Sequence, residues 1–222
     1  MEILKDDFMI YNGEYSMKNY IIEKINEIYS AIYERNLKNK LKNENFSIIS
    51  SNCIGGLIYH RLDHKFLSPT INLWMWQYDY LKFVLDLEKY LSLELAFIES
   101  EYSYPVARLE DIKIYFNHYS CEEEANECWN KRKKRINYDN LFLIMYDKDG
   151  LDKNDLEKLK SVKCKGKLVI SNREFDDLDY VIKIPADMNN PETRYRLDKN
   201  KFTSLRTFEK YFDYVKWLNK NI

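Results

Sequence analysis

The sequence lacks an excess of charge of either sign. Its 35 Lys and Arg residues nearly balance 36 Asp and Glu residues, so the formal net charge is −1. Proteins that bind nucleic acids usually carry a basic excess, and the balance therefore predicts no nucleic-acid partner. A hydrophobic fraction of 45% with 32% charged residues is typical of a globular chain that buries a core.

Long apolar runs are also missing. No segment approaches the roughly 18 apolar residues that a membrane-spanning helix needs. Residues 1–20 carry acidic side chains early and lack an apolar core segment followed by small residues, which a secretory signal peptide requires. We therefore expect a cytoplasmic protein with no membrane span.

The four cysteines form no metal-binding pattern. Cys121 and Cys128 are seven residues apart, and Cys53 and Cys164 stand alone, whereas zinc sites use closely spaced pairs. In a reducing cytoplasm we expect all of them as thiols. The sequence predicts no structural metal, and it contains no glycine-rich phosphate loop of the Walker or dinucleotide-binding type.

From residue 46 onward, short apolar runs alternate with helical patterns. This alternation predicts an α/β domain with three layers, α/β/α, and a mainly parallel or mixed sheet. The predicted strands are 46–50, 70–74, 95–99, 112–116, 141–146, 167–171 and 180–184. The predicted helices between and after them are 55–62, 78–91, 121–136, 153–162 and 205–218.

The N-terminal part has a helical pattern of its own. Apolar residues recur at three- and four-residue steps across residues 17–41, which predicts an additional N-terminal helix. A polar stretch follows, so we predict a helical appendage over residues 1–44 and an α/β domain over residues 45–222. The helix is either a contact for a homo-oligomer or assembly partner, or a helix packed on the same core.

Glycine is scarce, with five in the chain, and two glycines stand together beside a cysteine. Gly55 and Gly56 follow Asn52 and Cys53 where the first predicted strand gives way to a helix. Glycine permits tight turns and a close approach of the backbone to a ligand. The positive end of a helix stabilises a thiolate, so Cys53 is a candidate nucleophile. The alternative is that Cys53 is a small buried residue that fills space.

Polar side chains also follow two other predicted strands. His118 comes after strand 112–116, and imidazole is the usual base for a thiol because its pKa lies near neutrality. The alternative is that His118 caps the next helix. Asp147 follows strand 141–146, with Asp149 two residues later. These carboxylates suit the orientation of a histidine or the binding of a divalent cation, although Asp-Lys-Asp-Gly is also an ordinary turn.

A further set of residues is predicted to bind substrate. Ligands of parallel α/β sheets lie beyond the carboxyl ends of the strands. Arg132 and Arg135 stand at the end of a basic helix, where they either complement the helix dipole or bind an anionic group. The full predicted substrate-binding set is Asn52, Gly55, Gly56, Ser68, Thr70, Arg132 and Arg135.

Five stretches together resemble the bacterial family of unknown function DUF1919. They are FSIISSNCIGG, FLSPTINLW, YPVARLEDIKIYFNHY, EEEANECWNKRKKRIN and NLFLIMYDKDG, and the resemblance spans about residues 45–185, largely without the N-terminal helix. Members are often labelled exopolysaccharide biosynthesis proteins and sometimes acetyltransferases. The resemblance implies an α/β fold and a role in cell-surface polysaccharide (exopolysaccharide or capsule) biosynthesis.

The first functional hypothesis is a transferase that moves an acyl group to a sugar or sugar-linked substrate. In this hypothesis Cys53 is the nucleophile, His118 is the base and Asp147 orients the histidine. No metal takes part in it, and the sequence leaves any cofactor unspecified.

Two alternatives remain open. One is a metal-dependent glycosyltransferase or phosphotransferase, in which Asp147 and Asp149 hold the ion and Arg132 and Arg135 contact the donor phosphates. The other is a non-catalytic partner in a polysaccharide-assembly complex, which docks through residues 17–41.

Overall fold

A computed structural model of the protein describes residues 17–147, 150–185, 200 and 205–220. In this part of the chain the helices are α1 Met17–Lys40, α2 Ile54–Leu62, α3 Gln77–Leu85, α4 Leu87–Ser92, α5 Glu122–Lys133, α6 Lys153–Lys158, α7 Thr207–Tyr211 and α8 Tyr214–Asn219. The strands are β1 Ser47–Ser50, β2 Ala96–Ile98, β3 Val106–Leu109, β4 Ile112–Tyr115, β5 Leu141–Tyr146, β6 Gly166–Ser171 and β7 Val181–Lys183. Short 3-10 turns lie at Tyr138–Asn140 and Leu159–Ser161.

Four of the strands form a parallel sheet in the order β1-β5-β6-β7. Ile48 lies opposite Phe142 in the first pair, and Ile170 lies opposite Ile182 in the last. Every residue of β1 and β5 is buried. A parallel sheet covered on both faces produces such continuous apolar strands, because both sets of alternating side chains face a core.

Helices cover the two faces of this sheet and give the three layers that the sequence predicts. Ile49, Leu143 and Val169 face a core built with α3, α4, α5 and α6. Their neighbours along the strands, such as Ile48 and Phe142, face a second core built with α2, α7 and α8. The α/β class, the parallel sheet and the N-terminal helix are confirmed.

A separate antiparallel sheet, with strand order β2-β3-β4, packs on the first of these cores. The sequence analysis missed β3, and it wrongly predicted a strand at 70–74. In that segment only Trp74 pairs with a strand, through two backbone hydrogen bonds of 2.9 Å with Tyr115. Asn72 has a φ of 62°, a left-handed conformation that interrupts an extended chain.

Two predicted helices are each divided in two. The 78–91 prediction becomes α3 and α4, separated by Asp86 with non-helical angles of φ −136° and ψ 54°. The 205–218 prediction becomes α7 and α8, because the Asp213 side chain accepts a hydrogen bond from the Lys216 N–H and so starts a new helix.

The N-terminal helix contacts the rest of the protein mainly through its last turns. Leu37 packs against the second core, and Glu34 forms an ion pair of 2.7 Å with Arg61 of α2. The division into an appendage over residues 1–44 and a domain over 45–222 stays a prediction. Among the described residues, no helix combines the length and the apolar character that a membrane span requires.

Candidate functional site

A cleft of about 470 Å³ opens at the carboxyl end of the parallel sheet, beside the antiparallel sheet. Ligand pockets commonly enclose roughly 300–1,000 Å³, so the cleft has the size of a small-molecule site. Cys53 reaches it from the end of β1 and His118 from the turn after β4, so the fold brings these two predicted residues to one place. The lining is Ser51, Asn52, Cys53, Trp74, Met75, Trp76, Gln77, Tyr102, Tyr104, Asn117, His118 and Tyr146.

The turn from β1 to α2 is held rigidly at the floor of this cleft. The hydroxyl of Ser51 accepts a hydrogen bond of 2.8 Å from the N–H of Tyr146, at the end of β5. The carbonyl of Ser51 accepts one of 3.0 Å from the N–H of Met75. These bonds tie three segments of the lining together, which fixes the positions of the side chains that follow Ser51.

Two amide side chains in the lining have unused hydrogen-bonding atoms. Asn52 is only 8% exposed, and its Nδ2 is buried without a partner among the described residues. The Oδ1 of Asn117 is likewise buried and unpaired in the described part of the chain. Burial of an unsatisfied polar group costs about 1–3 kcal/mol, so such atoms are uncommon outside functional sites. Two of the four such side-chain atoms among the described residues belong to residues that line the cleft, and the other two, Ser50 Oγ and Trp129 Nε1, do not.

Cys53 immediately precedes α2, as predicted, but its thiol is not activated in the way the sequence suggests. Burial raises the pKa of Cys53 to about 11, because a buried thiolate loses its hydration, and the positive charge of Arg206 offsets this only in part. The expected lowering of the pKa by the helix end is therefore wrong. At neutral pH the cleft contains a thiol rather than a thiolate.

His118 and Asp147 differ in their surroundings. His118 is exposed and lines the cleft. Asp147 is buried, and its Oδ2 accepts hydrogen bonds from the Ser171 hydroxyl at 2.8 Å and from Arg173 Nη2 at 2.9 Å. Among the described residues no hydrogen bond joins Asp147 to His118. The carboxylate instead ties the end of β5 to the end of β6.

An aromatic wall, formed by Trp74, Trp76, Tyr102, Tyr104 and Tyr115, closes one side of the cleft. The rings of Trp74 and Tyr115 stack with centroids 3.9 Å apart, and Trp76 meets Trp74 edge-on at 5.3 Å. Tyr102 stacks on Tyr104 at 5.0 Å. Trp76 and Tyr102 each remain 38% exposed. Flat aromatic faces with a negative quadrupole suit the weakly positive C–H groups of a sugar ring.

The two glycines have a structural explanation. A Cβ on Gly55 would lie 2.8 Å from the Cβ of Ser50 and 3.2 Å from Ile48, so glycine allows α2 to pack closely on β1. A Cβ on Gly56 would meet Ile71 at 3.6 Å, an ordinary contact. Neither glycine lines the cleft, and their predicted role in substrate binding stays a prediction.

The other four predicted substrate-binding residues make contacts inside the protein. Thr70 Oγ1 accepts a hydrogen bond of 2.9 Å from the N–H of Ser50 and lies 3.0 Å from the hydroxyl of Ser68. Arg132 donates to the Tyr119 hydroxyl, and Arg135 donates to a backbone carbonyl at 3.3 Å. These contacts place none of the four in the cleft lining.

The metal-binding alternative rests on a residue that the structure does not cover. Asp149 lies outside the described residues, and Asp147 is engaged with Arg173. Within the described ranges, no group of three or more His, Cys, Asp and Glu side chains is placed to hold a metal ion.

A second cavity, of about 430 Å³, lies where α1, α2 and α7 meet. Its centre is Arg61, which pairs with Glu34 at 2.7 Å and with Glu209 at 2.9 Å. These ion pairs engage three of the charged side chains that line the cavity. The cleft at the sheet end, with its unpaired amides, is the better candidate for a functional site.

Sequence reasoning found Asn52, Cys53 and His118 but missed the aromatic wall. Two short patterns contain the missed signal, Trp74-Met75-Trp76 at the end of the predicted strand 70–74 and Tyr102-Ser103-Tyr104 after the predicted strand 95–99, and aromatic residues alternate in both. Alternation in an extended chain places both rings on one side.

The fold and the cleft define an α/β protein with its site at the carboxyl end of a parallel sheet. The family model described as Domain of unknown function (DUF1919) matches residues 24–219, and the chain belongs to this family. An uncharacterized protein of Haemophilus influenzae is 32% identical over 195 residues, which cover 88% of this chain and 94% of that protein. The family match includes most of α1 and is wider than the resemblance at 45–185 suggests. The cytoplasmic location and the absence of a nucleic-acid partner stay predictions.

Proposed function

We propose that the protein is an enzyme of cell-surface polysaccharide biosynthesis that transfers an acyl group to a sugar bound in the cleft. The observation that carries the proposal is the cleft lining itself, in which Cys53 and His118 lie with an aromatic wall and two amides that each have one buried atom without a partner among the described residues. A nucleophile, a base and a surface for a sugar ring are the parts that such a reaction requires.

The aromatic wall supports the choice of a sugar as the substrate. Trp76 and Tyr102 are each 38% exposed, so part of each ring is open to a ligand. A pyranose ring has an apolar face of C–H groups and a rim of hydroxyl groups, so it can lie against such rings while its rim meets polar side chains. Asn52 and Asn117 provide those polar side chains in the same cleft.

The raised pKa of Cys53 defines how the chemistry would proceed. Since the thiol is neutral at pH 7, its proton must leave as the sulfur attacks the acyl carbon, and His118 is the base in the cleft. His118 passes that proton to the leaving group of the donor. In the second step a sugar hydroxyl attacks the thioester, and its proton returns through His118 to the sulfur of Cys53.

Intact-protein mass spectrometry after incubation with an acyl thioester, such as acetyl-coenzyme A, and a methyl glycoside tests this proposal. We expect an acyl adduct on Cys53 that disappears in Cys53→Ala, and an acylated glycoside that disappears in His118→Ala. His60→Ala is the matched control, because His60 is an exposed histidine of α2 that lines the other cavity. Acylated glycoside formed at the wild-type rate by both Cys53→Ala and His118→Ala would exclude the mechanism.

A second proposal, of association through α1, is favoured by a specific surface. Ile21, Ile25, Ile28 and Ile32 are each between 46% and 61% exposed. Their four-three-four spacing is that of a coiled-coil seam, in which the apolar residues of one helix pack against another helix. We therefore propose that α1 pairs with a second copy of the chain or with an assembly partner.

A further inference from the structure

We propose that the sugar recognised by the cleft carries an acylamino group, as in a 2-acetamido sugar, which is held between Asn52 and Asn117. This inference rests on the proposed function, because it names the substrate class of the same site. Three features support it, namely the fixed orientation of one amide, the complementary atom of the other and the lack of Asp, Glu, Lys and Arg among the described lining residues.

The orientation of Asn52 is set by the backbone. Its Oδ1 accepts a hydrogen bond of 3.0 Å from the N–H of Ile54, the first residue of α2. An oxygen must therefore occupy that position, and the remaining atom of the amide is a nitrogen that donates. This Nδ2 is buried and unpaired among the described residues. The ligand group it requires is an acceptor such as a carbonyl oxygen.

Asn117, in the turn after β4, supplies a hydrogen-bond acceptor, whereas Asn52 supplies a donor. Its buried Oδ1 has no partner in the described part of the chain and accepts hydrogen bonds. A secondary amide presents a carbonyl that accepts and an N–H that donates, so it matches Asn52 and Asn117 together. A carboxylate has no donor for Asn117, and an ammonium group has no acceptor for Asn52.

The rest of the lining points to an uncharged ligand. None of the described residues that line the cleft is Asp, Glu, Lys or Arg. Arg206, whose charge acts on Cys53, is not among the described lining residues, so a phosphate or a uronic acid in the cleft would meet no cation in the described lining apart from the protonated form of His118, and burial of an unpaired charge is costly. Met75 and the aromatic rings offer apolar contact for the methyl group of an acetamido substituent.

The experiment is a binding titration of the purified protein with methyl glucoside and three methyl glycosides that each differ from it at one position. The ligands are methyl glucoside, methyl glucosaminide, methyl glucuronide and methyl 2-acetamido-2-deoxyglucoside. Binding is measured by tryptophan fluorescence and by ligand-observed NMR. We expect the acetamido glycoside to bind at least about tenfold more tightly than methyl glucoside, because each of two added hydrogen bonds contributes to binding.

Variants assign the preference to the cleft. Asn52→Asp keeps the oxygen that accepts from Ile54, so the turn is retained, but it replaces the Nδ2 donor with a second oxygen. We expect this variant and Asn117→Ala to lose the acetamido preference. Asn126→Ala, a change at an exposed asparagine of α5, should keep it.

The outcomes separate this inference from the proposed function. If all four glycosides bind equally, or if Asn52→Asp retains the preference, the acylamino assignment is wrong while sugar binding stands. If no glycoside binds, both the inference and the proposed function are wrong. If the preference is found and lost as expected but no acyl transfer occurs, only the proposed reaction is overturned.

Discussion

The side-chain oxygen of Asn52 accepts a hydrogen bond of 3.0 Å from the backbone N–H of Ile54, and this bond directs the amide nitrogen of Asn52 away from the helix. Asn52 therefore holds the turn that leads into α2, whose N-cap is Cys53, while its Nδ2 stays buried without a partner among the described residues. Because Asn52 also lines the cleft, it links the local structure of the turn to the proposed site.

The first prediction concerns the reactivity of Cys53. Since burial raises the pKa of its thiol to about 11, we expect alkylation of Cys53 to rise throughout the range from about pH 5 to pH 9 without a plateau. A variant that retains only Cys53 is compared with one that retains only the exposed Cys121, which should react faster. A plateau for Cys53 below about pH 8.5 would show a lowered pKa and contradict the expectation.

The raised pKa also affects stability. The thiol of Cys53 ionises at a lower pH in the unfolded chain than in the folded one. Cys53 therefore favours the folded state at neutral pH, and this contribution to the free energy of unfolding is lost as the pH rises toward about 11. Replacement of Cys53 by Ala should therefore reduce the loss of stability between neutral and alkaline pH. Urea denaturation of both proteins at several pH values measures this difference, and an unchanged pH dependence would contradict it.

The second prediction compares the two adjacent glycines. Gly55→Ala places a Cβ 2.8 Å from Ser50 Cβ, so α2 must move away from β1, and we expect a loss of about 1–3 kcal/mol in the free energy of unfolding. Gly56→Ala meets Ile71 at an ordinary 3.6 Å and should be neutral or stabilising by up to about 1 kcal/mol, because alanine favours helices. Urea denaturation measures both, and equal effects would refute the packing explanation.

The third prediction concerns the ion pair between Arg61 and Glu209. The side chain of Glu209 is only 2% exposed, and that of Arg61 is 13% exposed. Arg61→Met leaves a buried carboxylate without its cation, so we expect a loss of about 3 kcal/mol in unfolding free energy. The control is Lys82→Met, which breaks the exposed pair with Asp111 and should change little. Similar free energies of unfolding for the two variants would contradict a stabilising role of the pair between Arg61 and Glu209.

The fourth prediction tests association through α1. Ile25 and Ile28 are 58% and 61% exposed, so their replacement by Lys should not disturb the core. If α1 pairs with a second copy, the wild-type protein should be a dimer in size-exclusion chromatography with light scattering, and the double variant a monomer. A monomeric wild-type protein would exclude pairing of α1 with a second copy of the chain. Pairing of α1 with a different protein would then be the only part of the proposal left.

The sequence predicts the parts of the fold whose signal is local. The six apolar residues of β5 are recognised because burial on two faces leaves a continuous apolar run, and α1 is recognised by the three- and four-residue spacing of its apolar residues, several of which are exposed. The 70–74 segment misleads because Thr70, Ile71 and Leu73 are buried by tertiary contacts rather than by strand pairing. Thr70, for example, bonds to the N–H of Ser50 through its side chain.

The site is only partly predictable for a related reason. The positions of Cys53 and His118 follow from the rule that sites lie beyond strand ends. The aromatic wall is assembled from the segment before α3, the loop between β2 and β3 and the end of β4, and no single stretch reveals that these meet. The pKa of Cys53 is equally hidden, since it depends on how deeply the thiol is buried.

The most direct test of the central claim is a crystal structure of the protein with methyl 2-acetamido-2-deoxyglucoside bound. The account predicts a pyranose ring in the cleft against Trp76 or Tyr102, with its substituents beside Asn52 and His118. A sugar bound in the cavity around Arg61, or an empty cleft at a concentration that saturates binding in solution, would contradict it.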